Sequence, residues 1–317
     1  MTSAPPQNDT AAPLRIGTRG SPLALAQAHE VRRRLAAAHP HLEPDTAVEI
    51  VVIRTTGDRL QQGTLMDVGG KGLFTKEIEE ALLDGRVDIA VHSMKDVPTW
   101  FPDGLIIDCV LPREDPRDAL IAGGVDSIGA LPGGAVVGTA SLRRKAMVLH
   151  RRPDLVVVPF RGNVDTRLRK LADREVDATF LAMAGLNRLG RRHIGATPVD
   201  PADMLPAVCQ GVVGIERRID DSRVAGLLLP LAHAETALRT AAERALLAGL
   251  DGSCRTPIAA LADVDGDTLS LTAAIVRPDG SELIETRRRG GIGDASALGA
   301  DAADELRGRA GPGFFDE

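Results

Sequence analysis

The sequence predicts an α/β protein with open, largely parallel sheets, followed by a small α+β domain. Three observations lead there. Short apolar runs rich in Val, Ile and Leu alternate with helix-like segments through the first two thirds of the chain. The runs open into turns that start helices, as at Thr18-Arg19-Gly20-Ser21-Pro22, Ala140-Ser141-Leu142 and Arg161-Gly162-Asn163-Val164. After Ile258 three alternating runs, with a turn at Pro278-Asp279-Gly280, precede a closing helix.

Composition bounds the function. A chain of 317 residues is longer than one ordinary domain and holds enough apolar sequence, 44%, to fold without staples. No apolar run is long enough to span a bilayer, and Met1 to Pro13 has no basic start followed by an apolar core, so a disordered tail and a cytoplasmic location are expected. Three scattered cysteines, Cys109, Cys209 and Cys254, offer neither a disulfide framework nor zinc spacing, and no metal is predicted. The net charge of −6, with no Tyr and one Trp, argues against nucleic acid as a partner. Yet Thr139 to His193 holds 13 Lys and Arg against 5 Asp and Glu, a basic region that fits a small polyanion.

In chain order, Leu14 to Thr18 reads as a strand, and Ser21-Pro22 caps and begins a helix running to about His39. The turn between them, with Arg19 and free backbone N–H groups, reads either as an anion site or as a plain tight turn. Val48 to Thr55 reads as a second strand. A glycine-rich connection through Gly63, Gly69, Gly70 and Gly72 follows, read as a loop that covers a ligand, because its residues do not fit a Walker motif. A helix from Phe74 to Asp84 comes next. The stretch from Asp88 to Pro98 is then the place to look for chemistry: Val87, Ile89 and Val91 make a buried strand, and His92, Ser93, Lys95 and Asp96 emerge at its carboxyl end, where ligands of α/β sheets sit. A solvated turn is the competing reading of Lys95 and Asp96.

Pro112 to Asp118 reads as a charged connector to a second αβ set, with strands at Ala135 to Thr139, Leu155 to Phe160 and Ala178 to Ala182. The helices that follow carry Arg143 and Arg144, Arg167, and Arg188. Repeated guanidinium forks at one kind of location suggest a ligand with several carboxylates. Val212 to Ile215 is a strand able to rejoin the first sheet, so the first domain is expected to be discontinuous. Asp220 to Leu229 and Ala234 to Ala248 are helical. Cys254 then sits in a Gly-Ser turn beside Arg255, and two readings stand: a small buried residue, or a thiolate favoured by the neighbouring cation.

Seven ordered motifs carry a resemblance: Arg-Ile-Gly-Thr-Arg-Gly-Ser-Pro-Leu-Ala-Leu, Val-Gly-Gly-Lys-Gly-Leu-Phe, Val-His-Ser-Met-Lys-Asp-Val-Pro, Arg-Glu-Asp-Pro-Arg-Asp, Gly-Thr-Ala-Ser-Leu-Arg-Arg, Arg-Gly-Asn-Val and Gly-Ser-Cys-Arg-Thr-Pro-Ile. With these the chain resembles the porphobilinogen deaminases, or hydroxymethylbilane synthases, from Leu14 to its final helix. The resemblance implies two lobes like those of type II periplasmic binding proteins plus a small C-terminal α+β domain. The division implied is residues 1–111 with 212–230 returning, residues 112–211 as the basic lobe, and residues 231–317 as the cofactor-anchoring domain.

It further implies stepwise condensation of four porphobilinogen molecules onto a dipyrromethane primer, followed by hydrolysis to hydroxymethylbilane. Cys254 would hold that primer through a thioether. Asp96 would be catalytic. Ser93, Lys95, Thr139, Ser141, Arg143, Arg144, Arg161 and Arg188 would bind the cofactor, and Arg19, Ser21, Phe74 and Arg167 the substrate. A monomer is expected. Cys209 departs from the pattern, standing where the resemblance leads one to expect Gly before Gln210-Gly211, and Ala140 stands in place of a common Ser. A binding protein without chemistry leaves Cys254 unexplained, and a transcription factor needs a helix-turn-helix for which the chain has no spare domain.

Overall fold

A computed structural model describes residues 13–42, 47–59, 74–252 and 256–315. The glycine-rich connection, the N-terminal tail and Cys254 therefore lie outside the described residues.

The chain opens with β1 (Leu14–Thr18), α1 (Pro22–Ala38), β2 (Val48–Val52), α2 (Thr56–Arg59), α3 (Lys76–Leu83), β3 (Ile89–Ser93) and β4 (Leu105–Val110). Local sequence explains α1: the Ser21 hydroxyl accepts from the Ala24 N–H, and Ala24, Ala28, Val31 and Leu35 form the buried stripe. The second strand ends at Val52, short of the predicted Thr55, because the chain turns into α2. Next come β5 (Asp118–Ile121), β6 (Val136–Gly138), α4 (Leu142–Arg151), β7 (Val156–Val158), α5 (Val164–Ala172), β8 (Ala178–Ala182), α6 (Met183–Arg188) and β9 (Thr197–Pro198). The chain closes with β10 (Val213–Arg218), α7 (Ser222–Leu228), α8 (Ala234–Gly249), β11 (Ile258–Asp265), β12 (Thr268–Val276), β13 (Leu283–Gly291) and α9 (Ala295–Ala310).

Two five-stranded sheets share one plan, with orders β2-β1-β3-β10-β4 and β7-β6-β8-β5-β9. In each, three parallel strands are followed by an antiparallel strand, β10 in the first and β5 in the second. The strands read as parallel in the second set, β6, β7 and β8, are parallel, and the added antiparallel strands make each sheet mixed. The return of β10 to the first sheet agrees with the sequence reading. The third sheet, β11-β12-β13, is an antiparallel meander. Its apolar side chains join two cores: Ala260, Ala262 and Leu271 pack with Met94, Val97 and Val110, while Ala259, Ala274 and Val276 pack with Val137 and Phe180.

The two segments that pass between the lobes run side by side, with Glu114 N–H donating to the Gly211 carbonyl at 3.2 Å. Buried Glu243 of α8 ties them to the third sheet, pairing with Arg113 at 2.6 Å and accepting from the backbone N–H groups of Cys209 and Ala262. Cys209 takes φ 58°, the left-handed region, which gives a physical reason for the glycine expected there. Its thiol and that of Cys109 are free and buried, and burial pushes Cys109 up to about 12, so neither is poised to react. Gly211 is more constrained. Its φ is 91° and an added Cβ would lie 2.3 Å from the Glu114 carbonyl oxygen. Gly211→Ala is expected to destabilise by about 2–3 kcal/mol, read as a lower urea midpoint.

Candidate active site

The end of β3 and the start of α1 form one wall of a cleft. Arg19, Ser21, Gln27, Phe74, His92, Ser93 and Asp96 line it. Each is placed by its element. Ser21 caps α1. Ser93 is the last residue of β3 and exchanges hydrogen bonds with Gln27 of α1 at 2.9 and 3.1 Å. Lys95 and Asp96 lie in the 3₁₀ turn that ends the strand, half-buried, so the solvated-turn reading fails. The Arg19 guanidinium carbon stands 4.3 Å from the centre of the Phe74 ring, a cation–π contact that fixes the cleft mouth. Asp96 forms no ion pair among the described residues.

On the second lobe the polar groups gather around Asp118, the first residue of β5. Its carboxylate is fully buried and accepts from Arg143 at 2.7 Å and from Arg144 at 2.7 and 3.0 Å. Burial alone would raise its carboxyl, but the charges of Arg143 and Arg144 outweigh that and hold it well below the usual range. Gln210 bridges the lobes, donating to Asp118 at 3.1 Å and accepting from the Lys95 ammonium at 3.4 Å. Burial lowers Lys95, opposed by Asp96 and reinforced by Arg144. Thr139 and Ser141 shape the start of α4: the Ser141 N–H donates to the Thr139 hydroxyl, and the Ser141 hydroxyl accepts from the Arg144 N–H at 3.4 Å.

Cations outnumber their partners here. Among the described residues the Arg167 guanidinium donates only to the Gly162 carbonyl, at 2.9 Å, and Arg161 has no ion pair. Arg167 is pulled down to about 10, first by burial and then by the charges of Arg144 and Arg161. Arg143 Nε is buried with no hydrogen-bond partner among the described residues. An orphaned donor beside two guanidiniums without carboxylates is the donor set that a ligand bearing several carboxylates fits. Arg188 stands apart from this group, held by Glu30 of α1 at 3.3 Å and by the Gly211 carbonyl at 3.1 Å.

Sequence reasoning overlooked Asp118 as a site residue, reading it as the end of a connector. It also passed over Gln27, Gln210 and Glu216. The available signals were a carboxylate that starts an apolar strand, as Asp118 does in β5, and one that follows the apolar start of β10, as Glu216 does.

The model of the porphobilinogen deaminase, dipyromethane cofactor binding domain matches residues 14–226, and that of the porphobilinogen deaminase C-terminal domain matches residues 237–308. The chain belongs to the porphobilinogen deaminase family. It is 60% identical over 317 residues to the porphobilinogen deaminase of Paracoccus denitrificans, covering 100% of this chain and 99% of the relative. Identity to that of Nitrobacter winogradskyi is 57%, over 95% of this chain and 94% of the relative. The chloroplastic porphobilinogen deaminase of Oryza sativa is 54% identical, over 96% of this chain and 86% of the relative. As a porphobilinogen deaminase family member the chain is a transferase of tetrapyrrole biosynthesis, building hydroxymethylbilane from porphobilinogen with a dipyrromethane cofactor. No helix among the described residues is long and apolar enough to cross a membrane.

A pH effect follows from Glu79, buried on α3 behind the cleft. Burial raises its carboxyl above the ordinary value of 4.5, and the negative charge of Glu216 adds to the rise. A folded value above the unfolded one means that folding favours the protonated form, so stability falls as pH climbs from 4.5 through the raised value. Glu79→Gln, which mimics the protonated acid, is therefore expected to melt higher than the parent at neutral pH. The two should melt together below the ordinary carboxyl range. Calorimetry across pH checks both.

Proposed function

We propose that Asp96 carries the chemistry of hydroxymethylbilane synthesis and that the cations around Asp118 hold the carboxylate arms of the pyrroles. The observation behind this reading is that, among the described residues, Asp96 at the cleft wall has no ion pair and Arg161 and Arg167 on the second lobe have no carboxylate partner. The dipyrromethane, attached through a thioether to Cys254, supplies the pyrrole carbon onto which substrate is added.

Asp96 acts on the incoming porphobilinogen. Its carboxylate holds the protonated aminomethyl group as ammonia departs and stabilises the azafulvenium cation that remains. It then accepts the proton released when the new carbon–carbon bond forms. Arg161, Arg167, Lys95 and Arg143 bind acetate and propionate groups, while Arg144 is held as a rigid support by Asp118. Ser93, Thr139 and Ser141 add hydrogen bonds. Arg19 and Ser21 orient the substrate at the cleft mouth, with Phe74 against its ring. Arg188 takes a ligand carboxylate in exchange for Glu30. Residues 1–111 with 212–230, residues 112–211 and residues 231–317 act as three domains. The protein works as a monomer in the cytoplasm, a setting that suits its buried free thiols.

Intact mass of the denatured protein tests the anchor. The parent is expected to exceed its polypeptide mass by two linked pyrrole units, and Cys254→Ala to show the bare mass. Retention of the extra mass in Cys254→Ala would move the attachment elsewhere.

A further inference from the structure

Three buried ionisable side chains, of which His92 also lines the cleft, have no part in the chemistry above. His92 and Glu79 are each 6% exposed and Glu216 1%. His92 Nε2 lies 2.9 Å from Glu216 Oε2, while Glu216 Oε1 has no hydrogen-bond partner among the described residues. In the β3–β10 register Glu216 lies opposite Ala90, which puts its side chain on the sheet face of His92, diagonal to it. Glu79 is buried on α3, which packs on both β3 and β10.

We propose that Glu79, His92 and Glu216 form an anionic floor under the cleft, positioning residues whose summed charge supports the cation that develops beside Asp96. One proton taken up by Glu79 removes one unit of negative charge from the group, and its loss restores it. The floor is thus switched by a single proton, held four residues of β3 and its turn away from Asp96. A buried charge at such range acts through low dielectric and is felt more strongly than in water.

The surroundings leave this proton on the cluster. Besides Glu216, α3 contributes exposed Glu80. At the far end of the same face, Asp88 is committed to Arg15 at 3.0 Å and Arg218 at 3.6 Å. The opposite face presents Gln27 and Ser93, which are uncharged, and Arg217, paired with Asp108. Lys95, Asp96 and Arg19 close the open end. The sign follows: losing the proton adds negative charge under a developing cation, so turnover rises with pH through this titration.

The inference rests on Asp96 as the catalytic group. Its test measures kcat and KM of the primer-loaded protein across pH for the parent, Glu79→Gln and Asp96→Asn, alongside infrared detection of a protonated buried carboxylic acid. In the parent, the infrared signal should fade at the pH where kcat rises. Glu79→Gln should lack both that signal and that inflection, with kcat about tenfold lower on the plateau and KM unchanged. A Glu79→Gln profile equal to the parent's, or an infrared titration away from the kcat inflection, overturns the floor and leaves Asp96 in place. Near-normal turnover of Asp96→Asn overturns both.

Discussion

Asp96→Asn is expected to lower kcat on the order of 10³–10⁴-fold while leaving the primer mass and the fold intact. The amide keeps the shape of the side chain and its place on the 3₁₀ turn, but neither bears charge nor exchanges a proton at neutral pH. Both losses strike the same step. The departing ammonia leaves a cation with no counter-charge, and the proton of the new bond has no acceptor. Because Asp96 makes no ion pair among the described residues, its substitution breaks no salt bridge. Single-turnover ammonia release, read beside intact mass, checks the prediction. Release within tenfold of the parent would assign the chemistry to another group.

Asp118→Asn is expected to cost about 3–5 kcal/mol of stability, because it strips the counter-charge from two guanidiniums that are 4% and 6% exposed. The asparagine still accepts a hydrogen bond, so the loss is chiefly electrostatic. The sign with pH is definite. Asp118 has a depressed carboxyl, so its contribution is fully present above the ordinary value of 3.8 and disappears as pH falls through the folded value. The gap between variant and parent in urea midpoint should hold across neutral pH and narrow only in strong acid. An unchanged midpoint at neutral pH would mean that Arg143 and Arg144 do not depend on Asp118.

The family and the elements of local origin were legible in the residues. Ser21-Pro22 caps α1, Ser141 caps α4 and Asn163 caps α5 through bonds that reach only three residues along the chain, so local pattern suffices. Asp96 was singled out by the resemblance, since the residues alone left a solvated turn as a competing reading. Strands β4, β5 and β9 went unread. They pair antiparallel with strands brought from elsewhere in the chain, and a two-residue strand such as β9 has no periodicity.

By itself the sequence determined the family, the helix starts and the buried strand β3. These are properties of contiguous residues. Only the tertiary structure decided which charges are spent and which remain available. Arg143 meets Asp118 across 25 positions, Arg188 meets Glu30 across 158, and His92 meets Glu216 across 124. Ion pairing depends on distance and burial in space, and no pattern along the chain encodes which of many arginines finds its carboxylate inside the fold and which are left for a ligand.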